Sequence, residues 1–151
     1  MARNVQLRMR RTFVLIAVLG MTLAACGDPA EQASSDPTEN AWVLESGTLN
    51  DEAVPVLDDH PITLVFAEDG VGGTSACNSY FGSYNISSGE ITFSDLGQTM
   101  MACEPEEVME SEAKYLEALA LVETFSATDD TLTLTGEGAE LVFAVDASVE
   151  S

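Results

Sequence analysis

Basic residues are nearly absent from this sequence: beyond Arg11, the only Lys or Arg is Lys114. All 26 acidic residues lie after position 26, so the chain from residue 26 onward carries 1 − 26 = −25 formal charges. Phosphate binding depends on Lys and Arg, which neutralise the phosphates and release their counterions. This deficit excludes nucleic-acid binding and phosphoryl transfer, and we expect no nucleic-acid partner.

Histidine and cysteine are also scarce, with one histidine, His60, and three cysteines. One histidine and no closely spaced cysteine pair do not supply the ligand set of a zinc site. The many acids do not form the D-x-[DN]-x-[DN]-G pattern of a calcium loop, and they are typical of a solvated surface. The sequence therefore predicts no metal and no cofactor.

A long hydrophobic run is missing too, because the most apolar stretch, residues 12–26, is too short to remain as a membrane-spanning helix. It follows eleven residues with four arginines and no acid, which is the pattern of an export signal. Residues 23–26, Leu-Ala-Ala-Cys, resemble a bacterial lipobox, which implies cleavage before Cys26 and a lipid on that cysteine. An ordinary secretory signal is the alternative interpretation.

The composition then predicts four segments. Residues 1–25 are a signal peptide, and residues 26–40 are the lipidated cysteine and an acidic, proline-containing tether that cannot bury enough apolar surface to fold. Residues 41–146 form one domain, and residues 147–151 fray.

Within the domain, short alternating runs separated by turns predict antiparallel strands. One run places Ile62, Leu64 and Phe66 on a single face. Residues 82–93 form a hairpin around Ser87–Gly89, and residues 132–145 form another with alternate apolar residues facing inward. This spacing indicates a meander that curls or closes into a barrel.

One segment has helical spacing, from Pro105 to about Glu123, with Pro105 at the first helical position. Its apolar stripe should pack on the sheet, but Glu112 points into the middle of that stripe. Either the helix rolls so that Glu112 reaches solvent at the rim, or the carboxylate is buried and accepts hydrogen bonds from the sheet.

With Cys26 assigned to the anchor, Cys77 and Cys103 remain as a pair in an oxidising compartment. They form a disulfide, which would close a loop of about 26 residues and stabilise the fold by about 3 to 4 kcal/mol, or they are two inert buried thiols. Cys77 lacks a base to make a thiolate, and Asn78 beside it should point to the opposite face of a strand. We therefore expect no enzymatic activity.

These residues together resemble the META domain family, which includes the HslJ-like heat-shock lipoproteins. The resemblance covers roughly residues 41–146, and Ala76 departs from it where glycine is common. The matching positions are Trp42, Gly73, Cys77, Asn78, Tyr80, Thr99, Met101, Cys103, Glu112, Tyr115, Leu116 and Leu119. The resemblance implies a mainly β (α+β) fold, a small antiparallel barrel-like sheet with one amphipathic helix packed across it, and it implies no catalytic residues.

The expected function is that of a non-enzymatic cell-envelope lipoprotein, held to a membrane through Cys26 and acting through an envelope protein partner. The resemblance also implies a role in envelope stress or antibiotic tolerance. The location would be the outer membrane facing the periplasm in a cell with two membranes, or otherwise the outer face of the plasma membrane. A carrier of a small apolar ligand in the mouth of the sheet is the alternative. The oligomeric state is not indicated.

Overall fold

The computed structural model describes residues 35–148. A short 3-10 turn, Pro37–Glu39, precedes nine strands and one helix in this part of the chain. Their bounds are β1 (Ala41–Leu49), β2 (Glu52–Ala53), β3 (Thr63–Ala67), β4 (Gly70–Thr74), β5 (Ser79–Ser87), β6 (Glu90–Gln98), α1 (Glu106–Ala120), β7 (Val122–Ala127), β8 (Thr131–Gly136) and β9 (Ala139–Val145).

The strands form a closed antiparallel barrel. Each strand from β3 to β8 pairs with the next in the sequence, β1 pairs with β3, and β9 pairs back onto β1. The short strand β2 adds only to the end of β1. Closure leaves β2 outside an eight-stranded barrel and confirms the expected fold class.

Period-two alternation of apolar residues builds the barrel interior. Leu132 and Leu134 on β8, and Leu141 and Phe143 on β9, are all fully buried, as the hairpin pattern predicts. In β1 the buried positions are 42 and 44 and then 47 and 49, because a bulge between Leu44 and Ser46 shifts the alternation by one residue.

The helix α1 lies in the chain between β6 and β7, where the barrel seam is weakest. Register between these two strands pairs only Glu90 with Thr124. Val108, Tyr115 and Leu119 of α1 are fully buried, so the helix packs its apolar face against the barrel. With 15 residues, α1 is not long enough to cross a bilayer, and no other helix of residues 35–148 is.

The helix is shorter than predicted at both ends. Pro105 is the N-cap rather than the first helical residue, and the helix ends at Ala120 rather than near Glu123. Val122 instead begins β7, where it is buried and pairs with Gly136. Sequence periodicity could not separate these residues because an apolar residue suits a buried helix end and a strand start equally well.

Contacts with the barrel begin before the predicted domain start at residue 41. The Ser35 amide donates to the Ala127 carbonyl at 3.1 Å. The indole Nε1 of the fully buried Trp42 donates to the Pro37 carbonyl at 2.7 Å, which fastens the 3-10 turn to the barrel. The predicted signal peptide, Cys26 and the first part of the tether lie outside the described residues, as do residues 149–151.

Candidate functional site

The carboxylate of Glu112 lies at the centre of a buried polar cluster formed by Glu112, Ser75 and Asn78. Glu112 is 2% exposed, and it faces the turn between β4 and β5. Its Oε2 accepts from the Ser75 hydroxyl and from the backbone amide of Asn78, each at 2.8 Å. Its Oε1 accepts from the side-chain Nδ2 of Asn78 at 3.0 Å. The second interpretation of Glu112 is therefore correct: the carboxylate is buried and hydrogen-bonded by the sheet.

The other half of the Asn78 side chain holds the segment that follows β6. Its Oδ1 accepts from the Thr99 hydroxyl at 2.8 Å and from the Met101 amide at 2.7 Å, while Nδ2 also donates to the Met101 carbonyl at 3.2 Å. These bonds fix which end of the amide is oxygen, because only oxygen can accept from Thr99 and Met101. Asn78 thus joins α1, the β4–β5 turn and the post-β6 segment in one network.

A disulfide between Cys77 and Cys103 ties the same two segments covalently. The predicted pairing is present, and the alternative of two reduced thiols does not describe this structure. A thiolate mechanism through Cys77 is closed while the bond is formed, because the nucleophile would be the free thiolate.

Two tyrosines continue the helix–barrel contact beside the polar cluster. The hydroxyl oxygens of Tyr80 and Tyr115 are 2.7 Å apart, and Tyr80 donates to the Thr63 carbonyl at 2.9 Å. Tyr115 must then be the donor to Tyr80, because the Tyr80 hydrogen is already committed to a carbonyl. Burial raises the pKa of both phenols well above their usual value, so both stay neutral donors.

The remaining motif residues have structural positions. A methyl group on Gly73 would lie 2.1 Å from the Thr63 carbonyl oxygen, so only glycine allows this approach of β3 and β4. Leu119 is fully buried and Leu116 partly buried against the core. Met101 takes part through its backbone, since its side chain is 57% exposed.

The interior of the barrel is filled by large side chains. Trp42, Tyr115 and Phe143 are each fully buried, and the rings of Tyr115 and Phe143 pack edge to face at 6.4 Å between centroids. This packing removes the geometric support for an apolar ligand between the helix and the sheet.

A concave apolar surface lies instead on the outside of the barrel, across β3 to β6. We call it the outer groove; its volume is about 600 Å³. Phe81, which is 61% exposed, and Val65, which is 40% exposed, supply its apolar walls. Gly70, Gly72, Asp69 and Asp95 also line the groove.

The sequence did not reveal the outer groove or two buried serines, Ser75 of the polar cluster and Ser111 of the helix. Ser75 was not predicted because it lies in a turn, and its distance from Glu112 in the fold cannot be inferred from the sequence. Ser111 is fully buried and donates to the Pro55 carbonyl at 2.6 Å; its spacing of three from Val108 and four from Tyr115 was the available signal. For Phe81 the signal was an aromatic residue on a strand between glycine-rich runs.

Comparison with known proteins matches a family model, the META domain, to residues 35–148. This chain belongs to the META domain family. The match includes Ser35, whose backbone amide is bonded to the barrel. A search of curated proteins finds no match.

Two solved structures resemble this META domain. One, described as the NMR structure of a protein from Burkholderia xenovorans, is 29% identical with a TM-score of 0.63, covering 72% of this chain and 83% of that one. The other, described only as the NMR structure of a protein, is 27% identical with a TM-score of 0.58, covering 75% and 94% respectively. Both are similar in fold and sequence, and their descriptions state no activity.

We predict that Glu112→Gln destabilises this META domain by about 2 kcal/mol or more in urea unfolding. The glutamine amide has one acceptor oxygen where the carboxylate has two, so its NH2 group would face a buried donor of Ser75 or Asn78. Asn78 cannot turn its side chain to relieve this, because its Oδ1 is bonded to Thr99 and Met101. Glu117→Gln, on the exposed face of α1, is the matched control and should change stability by less than about 0.5 kcal/mol. Equal stability of the two variants would contradict the role given to the Glu112 carboxylate.

Ala76, which stands where the family pattern commonly has glycine, has a strained backbone conformation. Its φ is 78°, a left-handed conformation that strains a residue with a Cβ. We predict that Ala76→Gly stabilises the domain by about 0.5 to 1 kcal/mol in thermal or urea unfolding. Ala67→Gly, at an exposed strand position, should destabilise it instead, and a loss of stability in both variants would show that Ala76 is unstrained.

The disulfide leads to a separate prediction. The unreduced chain, unfolded in denaturant, should show no titratable thiol at positions 77 and 103, and two after reduction. The reduced protein should be less stable by about 3 kcal/mol, since the bond closes a loop spanning 26 positions. Alkylation of either cysteine in the native, unreduced protein would contradict this.

Proposed function

We propose that this META domain protein is a non-enzymatic lipoprotein of the cell envelope, anchored through Cys26, that acts by binding a protein partner on the outer face of its barrel. The outer groove is the observation that carries the proposal. It exposes an aromatic ring and an aliphatic side chain within one concave surface, an arrangement that suits a binding site.

The internal chemistry supports a binding role rather than catalysis. Every buried side-chain nitrogen or oxygen in residues 35–148 has a hydrogen-bond partner, and those of the polar cluster are bonded within the fold. The sulfur atoms of Cys77 and Cys103 are bonded to each other. The motif residues thus have their partners within the fold, and the surface remains as the place of function.

The N-terminal sequence supports the anchor. An arginine-rich start, a short apolar stretch and the Leu-Ala-Ala-Cys ending at Cys26 are the features that lipoprotein processing uses. Attachment of two or more acyl chains would make membrane binding stable. In a cell with two membranes, Gly27 after the lipidated cysteine favours the outer membrane, facing the periplasm. A role in envelope stress or antibiotic tolerance fits this location.

The anchor is tested by labelling cells with an alkyne fatty acid. The wild-type chain should be labelled and should sediment with membranes, while Cys26→Ser should lose the label and stay unprocessed or soluble. Cys77→Ser together with Cys103→Ser is the control and should keep the label. Unlabelled wild-type protein recovered free of membranes would contradict the anchor.

Partner binding is tested by site-specific photo-crosslinking in the intact cell envelope. Ser83→p-benzoylphenylalanine places the cross-linker at an exposed position lining the outer groove, and Asp58→p-benzoylphenylalanine places it in an exposed loop elsewhere. We expect a discrete adduct from position 83 that is absent from position 58 and is lost on adding Phe81→Ala. No adduct, or the same adduct from both positions, would contradict a partner at the groove.

A further inference from the structure

We propose that the outer groove recognises a cationic peptide segment, one in which a Lys or Arg side chain stands next to an apolar side chain. This inference rests on the proposed binding function and specifies the chemistry of the partner.

A row of outward-facing residues across four strands shapes the apolar part of the groove. Register pairs Val65 with Gly72, Gly72 with Phe81, and Phe81 with Gly97. Large and small residues therefore alternate across β3 to β6, and Gly72 leaves a depression between two exposed apolar side chains. An apolar side chain of a partner can fill the depression at Gly72, between Val65 and Phe81.

The ring of Phe81 is held to one side of this row. A methyl group on Gly97 would lie 2.8 Å from Cζ of Phe81, so the ring lies over Gly97 and away from Gly72. At Gly72 itself a methyl group would lie 2.9 Å from the Tyr80 carbonyl oxygen, which keeps this floor free of side chains. The aromatic face is thus positioned, and an exposed, positioned aromatic face attracts cations as well as apolar groups.

Carboxylates flank the same groove. Asp69, in the turn between β3 and β4, and Asp95, in β6, both line it. A neighbouring depression of about 320 Å³ shares Asp69 and adds Glu68. The lining residues include no basic side chain, so the charge that complements the groove has to come from the partner.

The only lysine or arginine of residues 35–148 is engaged elsewhere. Lys114 on α1 is 3.0 Å from a Glu110 oxygen and 3.2 Å from a Glu52 oxygen, and neither residue lines the groove. The excess of acids over bases also gives the whole domain a field that attracts cations and repels acidic partners. Charge complementarity therefore selects a cationic segment, and the apolar row selects one with an adjacent apolar side chain.

The proposal is tested by titrating the full chain, held in detergent, with three short peptides and following amide shifts or calorimetric heats. The peptides alternate phenylalanine with arginine, with serine or with glutamate. We expect the arginine peptide to bind at least about ten times more tightly than the serine peptide, and the glutamate peptide to bind not at all. Affinity for the arginine peptide should fall as salt increases from low to physiological concentration, because the carboxylates are exposed to screening.

Matched variants locate the binding. Phe81→Ala should weaken the arginine peptide about tenfold, a loss of about 1.4 kcal/mol, and Met100→Ala, which removes a side chain that is 95% exposed elsewhere, should not. Asp95→Asn should weaken it several-fold and flatten the salt dependence; asparagine tolerates the left-handed φ of 53° found there. Asp58→Asn is its charge-matched control. Unfolding curves for each variant separate lost binding from lost folding.

Equal binding of the arginine and serine peptides, or equal weakening by Asp95→Asn and Asp58→Asn, would overturn the cationic specificity. If the groove-specific cross-link from position 83 nevertheless forms, the binding function stands and only the partner chemistry is wrong. If that cross-link is absent while the arginine peptide binds, the groove selects cationic peptides but does not bind a protein partner in the envelope.

Discussion

The burial of one carboxylate, that of Glu112, is the constraint on which the arrangement of this domain depends. A buried carboxylate is tolerated only where hydrogen-bond donors replace the lost water. Here the donors come from Ser75 and Asn78, at the turn between β4 and β5, while the acceptor comes from α1. The helix can therefore occupy one position on the barrel, since a shift of one residue along its axis would leave three donors and a charge unsatisfied.

The same constraint accounts for the positions of the most distinctive motif residues. Asn78 satisfies Glu112 with one end of its amide and holds the post-β6 segment with the other. The disulfide between Cys77 and Cys103 joins those segments a second time. A cysteine beside an asparagine, which in another context would suggest a nucleophile, is here part of a fastening between helix and barrel. The outer surface presents a different feature, the exposed ring of Phe81 lying over Gly97.

Strand periodicity and turn chemistry were sufficient to predict the barrel, because Leu132, Leu134, Leu141 and Phe143 alternate without interruption. They were insufficient where the chain changes from helix to strand around Val122. The motif pointed to Glu112 and Asn78 individually, but their contact joins positions 34 apart and depends on how the helix rolls. The outer groove was unpredictable for a similar reason: it is a cross-strand row whose members meet only once the register of four strands is fixed.

Native-state hydrogen exchange at the backbone amides of Asn78 and Met101 tests this account most directly. Each amide is bonded to a side chain of the network rather than to a strand partner, one to Glu112 and the other to Asn78. If the network holds helix and barrel together, both amides should exchange only on global unfolding, as slowly as amides of β8 and β9. Exchange of both as rapid as that of the exposed turn at Ser88 would contradict the claim that this carboxylate organises the domain.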